Sequence, residues 1–220
     1  MVFFEKSQPA PASLTSRTSY REEDVIERLE SDFKNKCYIC GFKNPVLINV
    51  EHFIPHRGDE DLKFDWNNLF YSCSHCNNTK EMLERNTIKG GFLNCTCGDD
   101  KVDERISYRV NSFPELKVLI EEVPPVDKTF EERVNNTITL LKAVYDGYNT
   151  PIKKREAANL RIWLMTEIIK FQKLLIKLSS STVDSEQVKE EIEKELSNES
   201  AFTAFKRWIV KDSSVVVQSL

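Results

Sequence analysis

The chain has 220 residues, 40% of them hydrophobic and 30% charged. These proportions exclude a disordered tail or a fibrous repeat and allow one substantial core. The formal net charge of −4 has the wrong sign for a chain that grips phosphates over its whole surface. No run approaches the ~18 apolar residues of a membrane helix. The start, Met1-Val2-Phe3-Phe4-Glu5-Lys6, lacks the basic head and long apolar stretch of a secretory signal. The expected compartment is the cytoplasm, where thiols stay reduced and paired cysteines hold metal more often than they form disulfides.

In chain order, residues 1–18, with Pro9 and Pro11, read as an extended arm. Ser19-x-x-Glu22 has the form of a capping box, and Val25, Ile26, Leu29 and Phe33 follow at helical spacing, so a helix delivers the chain to Cys37. Val46 to Ile54 is β-rich and stopped by Pro55, with Glu51 and His52 near its end. A polar loop from Arg57 to Lys63 leads through Asp65-Trp66-Asn67-Asn68 to a short strand, Leu69-Phe70-Tyr71. Cys76 opens a helix to about Arg85, and Gly90-Gly91 marks a break. Ile106 to Val110 alternates like a half-buried strand and pairs with Leu116 to Val123 as a hairpin. Thr129-x-x-Glu132 is a second capping box, and Pro151 starts a long helix to about Leu178. Ser179-Ser180-Ser181 ends that helix, and two more are expected at 184–197 and 200–211.

On these boundaries the chain divides into an N-terminal arm and helix (1–36), a metal-stapled module (37–90), a β-hairpin connector (91–128) and a C-terminal helical region (129–220). The fold class is α+β, a zinc-stapled strand–strand–helix module within a mainly α-helical chain. Trp163, Phe171, Phe202, Phe205 and Trp208 of the last region offer apolar area for partner docking, although most such aromatics are simply core.

The chemistry lies in the module. Cys37/Cys40 and Cys73/Cys76 form two Cys-x-x-Cys pairs, each able to aim two sulfurs at one ion, which is the pattern of a closed structural zinc site. Cys95 and Cys97 have poorer spacing and read as small buried residues, and His75, inside the second pair, reads as exposed. Between the pairs stands His52, whose imidazole, with an ordinary pKa near 6.5, can deprotonate a water at neutral pH. Glu51 before it and Asn77 after the last cysteine each offer a hard oxygen of the kind Mg²⁺ prefers. Asn68 is placed to hydrogen-bond across the loop and orient His52. Lys80 lies one helical turn beyond Cys76 and is placed to reach a phosphate, as are His56 and Arg57. The module counts six Lys/Arg against seven Asp/Glu, whereas residues 141–180 count eight against three. The grip on nucleic acid must therefore involve the later helices or a second subunit.

Glu51-His52 on a strand, Asn68-Leu69, and Asn77 after the second cysteine pair resemble the HNH (ββα-metal) nuclease superfamily. The resemblance implies an endonuclease with His52 as general base, Glu51 and Asn77 as ligands of a catalytic Mg²⁺ or Mn²⁺, and Asn68 in the middle place. Glu5-Lys6-Ser7, Val50 to Pro55, Asp65 to Leu69, Ser72 to Asn77 and the tail around Asn136 to Leu141 are also similar to the HNH subunits of Septu-type anti-phage defence systems, the PtuB family. That resemblance implies an ATPase partner with an ABC/AAA-like head (PtuA-like), and DNA or tRNA as substrate. For some relatives it also implies a retron reverse transcriptase with its RNA–DNA. Two other readings compete. A non-catalytic zinc module would have no use for Glu51, His52 and Asn77 in that order, and a nuclease acting alone should carry its own basic recognition domain.

Overall fold

The structure is a computed structural model describing residues 1–86, 88–112, 115–125, 127–179 and 185–213. The module is built first. β1 (Ile48–His52) pairs antiparallel with β2 (Leu69–Cys73), with Ile48 opposite Cys73 and His52 opposite Leu69. α3 (Ser74–Asn86) follows directly and packs on both strands. β2 is buried nearly throughout because it is covered on both faces, which is why it reads as a short apolar run rather than an alternating one. The expected first strand is shorter than Val46 to Ile54, since Val46 and Leu47 project into solvent before pairing begins. The connection between the strands is shaped by two aspartates. Asp59 accepts from the backbone N–H groups of Asp61 and Leu62 to start α2 (Glu60–Phe64), and Asp65 accepts from Asn67 N–H to start the turn Trp66–Asn68.

Around this module lie α1 (Glu23–Asp32), α4 (Val102–Arg105), the antiparallel hairpin of β3 (Ile106–Asn111) and β4 (Lys117–Glu122), and α5 (Lys128–Asp146). α6 (Pro151–Leu178), α7 (Ser185–Leu196) and α8 (Thr203–Asp212) complete the described elements. α6 starts as its sequence suggests, with Thr150 Oγ1 accepting from Lys153 N–H and Pro151 in the first turn. Ser180, Ser181 and residue 184 lie outside the described residues.

Both capping boxes are overruled by their neighbours. Ser19 Oγ accepts from Arg21 N–H in a local turn, so α1 begins only at Glu23. Asp127 Oδ1 takes both Thr129 N–H and the Thr129 hydroxyl, so α5 begins one residue before Thr129. A carboxylate is the stronger acceptor and wins the cap.

The N-terminal segment is not a free extended arm. Met1, Val2, Phe4 and Leu14 are buried, and the Phe4 ring lies 5.1 Å from that of Phe33. Phe4 N–H donates to Cys95 O at 2.8 Å, and the Lys6 ammonium donates to Leu69 O and Trp66 O. The arm is thus a strap across the entry to β2. One apolar cluster joins Phe4 and Leu29 with Phe70 and Leu83 of the module, Ile106 and Ile120 of the hairpin, and Leu141 and Phe205 of the helices. The four segments share a core rather than each owning one.

Of the aromatics expected at a docking surface, that core absorbs Phe202 and Phe205, a second cluster with Val188 and Ile192 takes Phe171, and Trp163 stays 47% exposed. Phe171, Phe202 and Phe205 are buried, and Trp208 Nε1 donates to Ile106 O at 3.1 Å. Trp163 stacks on Phe42 with 4.4 Å between ring centres. The exposed apolar side chains of α6 are Trp163 with Ile152, Ile162, Ile169 and Ile176, the last three isoleucines seven residues apart. No helix among the described residues is long and apolar enough to cross a membrane.

Tyr145 of α5 donates its buried hydroxyl to Cys40 O at 2.7 Å and so ties the helices to the first cysteine pair. Tyr145→Phe should lower unfolding stability in urea by about 1–2 kcal/mol, the cost of an orphaned buried carbonyl. An unchanged midpoint would show that this tie carries no load.

Candidate active site

The segment Cys37 to Phe42 folds back as a knuckle, with Cys37 N–H donating to Phe42 O at 3.0 Å and Gly41 N–H to Cys37 O at 2.9 Å. Gly41 has φ of +74°, a conformation that glycine adopts without strain. The second pair lies at the β2–α3 junction, Cys73 closing the strand and Cys76 in the first helical turn. The four Sγ atoms fall within 4.8 Å of one another. Sulfurs about 2.3 Å from one tetrahedral zinc stand about 3.8 Å apart, so the donor set fits that ion and leaves no open position. Burial raises the thiols of Cys40 and Cys76 well above the ordinary value. Burial opposes ionisation at Cys37 too, but hydrogen bonds with Cys40, Cys73 and Cys76 outweigh it and hold Cys37 low. A divalent cation is the natural compensation for so much buried sulfur. Cys95 is buried and Cys97 half-buried, and neither joins a metal group among the described residues.

His75 is not exposed as expected. Its Nδ1 lies 2.9 Å from Glu156 Oε2 and its Nε2 lies 2.9 Å from Val144 O. Lys153 adds contacts to Glu156 at 2.9 Å and to His75 O at 3.2 Å. The knuckle between Cys73 and Cys76 is therefore clamped to α5 and α6, which uses Lys153 structurally.

Beside the module opens a cleft of about 520 Å³ whose walls include Glu51, His52, His56, Arg57 and Asn77. The structure thus brings five of the expected site residues together. His52 Nε2 lies 3.0 Å from Lys63 O. A carbonyl only accepts, so Nε2 carries the proton and Nδ1 keeps the lone pair. Burial holds the His52 pKa below its ordinary 6.5, against the pull of the Lys63 carbonyl, so the imidazole is neutral at physiological pH. The Tyr20 ring packs edge-on against it at 4.7 Å, and the His56 ring lies 4.7 Å away on another side. His56 Nδ1 accepts from Gly58 N–H, which leaves its Nε2–H as a donor.

Asn68 works one step removed from His52. Its Oδ1 accepts from Ile54 N–H at 2.7 Å, and its Nδ2 donates to Ile54 O and Leu62 O, each at 2.9 Å. It pins the loop that presents the Lys63 carbonyl to His52. It is buried and is a positioning residue, not one that meets substrate.

Lys80 departs furthest from expectation. It is fully buried, and its ammonium donates to Glu51 Oε1 at 2.8 Å and His52 O at 3.1 Å, with Glu84 Oε1 also at 2.8 Å. A cation with three short-range acceptors in the interior cannot reach a phosphate. It fixes instead the carboxylate of Glu51 and the backbone of His52. Burial pushes the Glu51 carboxyl up to about 7 despite the opposing charge of Lys80. Glu51 Oε1 is committed to Lys80, and Glu51 also lines the cleft, where its second oxygen could meet a metal. Asn77, half-buried on α3, makes no side-chain hydrogen bond among the described residues and can offer its amide oxygen to the same ion. A carboxylate and an amide oxygen suit Mg²⁺ or Mn²⁺, with water and phosphate completing the shell. Tyr20, Arg21, Glu81, Glu84 and Arg85 also line the cleft. Sequence spacing gave no signal for Tyr20 and Arg21, which arrive from the N-terminal strap.

Residues 37–82 match the family model of the HNH endonucleases. The match runs from the first cysteine into α3 and spans Glu51, His52, Asn68 and Asn77, which supports a place in the HNH superfamily and nuclease activity in general. Comparison with curated proteins finds no match.

The buried pairings of Lys80 predict that Lys80→Ala destabilises the HNH module by about 3–5 kcal/mol, since Glu51 and Glu84 lose their compensating charge. Thermal melting would check this. A variant as stable as the parent would return Lys80 to the surface.

Proposed function

We propose that this chain is a metal-dependent HNH endonuclease that hydrolyses phosphodiester bonds of nucleic acid in the His52 cleft. The observation that carries the reading is the His52 Nε2–Lys63 O hydrogen bond, which fixes the tautomer and leaves Nδ1 as a base among Glu51, Asn77 and Arg57. In this mechanism His52 Nδ1 takes a proton from a water that attacks the scissile phosphorus, a role typically contributing roughly 10²–10⁴ in rate. Asn68 keeps the imidazole aligned through the Lys63 carbonyl, and Lys80 keeps Glu51 in register with it. Glu51 and Asn77 would hold the catalytic ion, which would supply Lewis-acid stabilisation of charge on the phosphate and leaving oxygen. His56 Nε2–H and the Arg57 guanidinium are placed to bind non-bridging phosphate oxygens. The four-cysteine zinc is closed and serves the fold alone.

The finer reading is a nuclease effector of a Septu- or retron-type defence system, working with an ABC/AAA-like ATPase on DNA or tRNA. Its support is the resemblance of the motifs together with the charge. A net −4 chain has little non-specific electrostatic attraction for phosphate and gains from a partner that supplies it. The exposed Ile162, Ile169 and Ile176 of α6 are the apolar area available for such a contact.

His52→Ala should reduce cleavage of DNA or total tRNA by at least roughly 10² while zinc content and melting stay as in the parent. Activity within a few-fold of wild type would remove His52 from the mechanism. Co-expressed with an ATPase subunit of the PtuA-like kind, the chain should co-elute with it and cut little until the partner is triggered. Separate elution with full activity from this chain alone would rule the partnership out.

A further inference from the structure

The catalytic cleft does not end at Arg57. A second groove of about 510 Å³ shares Pro55, Arg57, Glu84 and Arg85 with it and runs on to the Lys89–Gly91 segment. Its volume lies within the roughly 300–1,000 Å³ of ordinary ligand sites. Its floor is apolar: Ile88 and Phe92 are buried, Phe53 is half-buried, and Ile54 stands 52% exposed. Nothing in the packing of the module requires an exposed isoleucine two residues after the general base.

The walls are held in place. Asn68 grips both backbone groups of Ile54, so the residue that orients His52 also sets the groove's edge. On the other side Asn136 Nδ2 donates to Lys89 O at 2.7 Å and to Gly91 O at 2.9 Å. Gly90 and Gly91 both have positive φ, so the chain turns there without strain, and a Cβ at Gly90 would collide with the Glu132 carboxylate. The charged groups divide clearly. Arg85 is paired with Glu81 and Glu84 with Lys80, whereas Arg57 and Lys89 form no ion pair among the described residues. Two cations outside close ion pairs, Lys89 and an Arg57 that lies within the field of Glu84, at the rim of an apolar floor match one chemistry: phosphates on the cations and the flat face of a base on the floor.

We propose that this groove takes an unpaired nucleotide adjoining the scissile phosphate, so that the substrate is a single strand or an unpaired loop of nucleic acid. A base inside a duplex has both faces covered by its neighbours and must unstack before it can lie on such a floor. The proposal rests on the nuclease reading and adds the strandedness of the substrate. Ile54 and Lys89 become specificity residues, and the continuity of groove and cleft places the bound nucleotide beside His52.

The test uses the full chain with Ile54→Asp and Lys89→Glu, each made in the wild type for cleavage and in His52→Ala for binding. The probes are a short fluorescein-labelled DNA single strand, its RNA counterpart, and the duplex of each, read by fluorescence anisotropy. Ile54→Asp is expected to weaken single-strand binding by about tenfold and to raise KM for single-strand cleavage with kcat kept. Duplex binding should move by no more than about twofold. The DNA and RNA arms report which sugar the site accepts. Ile54 and Lys89 are exposed, so folding should survive, and either variant gives the answer if the other does not fold. Should the wild type cleave while both variants treat single strands as the parent does, or weaken duplex and single strand alike, the inference is overturned and the nuclease reading stands. A wild type that cleaves neither form with any divalent metal overturns both.

Discussion

The meeting of four cysteine sulfurs at one point is the constraint on which the rest of the molecule depends. It joins a knuckle in the loop after α1 to the β2–α3 junction, two stretches of chain with little local reason to meet. Two five-residue strands and one helix are too small to hold themselves together in water alone, and a metal bound by the four sulfurs would add folding energy that so small a sheet lacks. Once β2 and α3 are fixed, β1 is paired in register, which sets Glu51 opposite Phe70 and His52 opposite Leu69 at the strand's end. Tyr145 bonded to Cys40 and His75 bonded to Glu156 then carry that rigidity into the helical body.

The cleft beside this staple is built by buried charge as much as by shape. Glu51 is withdrawn from water and its carboxyl is pushed up to about 7, a price in charge stability offset by Lys80. The same lysine reaches the His52 carbonyl, so one side chain fixes both members of the Glu-His pair. Asn68 governs His52 through a backbone carbonyl that belongs to a neighbour. The groups that would touch substrate, His56 and Arg57, lie on the loop outside this frame, which divides a rigid interior from an accessible rim.

Much of this was legible in the residues. Two Cys-x-x-Cys pairs and Glu51-His52 point to a metal staple and a base because few other residue sets serve those tasks at such spacing. The strand–strand–helix order, the hairpin and the proline start of α6 follow from periodicity and Pro151. Other features depend on tertiary contacts that spacing does not encode. Lys80 reads as a helix lysine placed to reach a phosphate until Glu51 and Glu84 are seen on either side of it. The strap of Met1 to Ser7 reads as an arm because its partners, Cys95, Phe33 and Asp32, lie far along the chain. Phe202 and Phe205 look like docking aromatics only while the core they fill is unknown. Tyr20 and Arg21 reach the cleft by that same long-range packing.

The central claim is that two metals do separate work, a closed zinc for the fold and an open-site ion for hydrolysis. The most direct measurement is cleavage of nucleic acid by the purified chain after brief chelation and then on return of magnesium, with bound zinc quantified on the same sample. The account predicts that cleavage disappears on chelation and returns with magnesium while the zinc stays bound and the melting curve stays unchanged. Cleavage that persists without magnesium, or that vanishes only as zinc is lost, would contradict it.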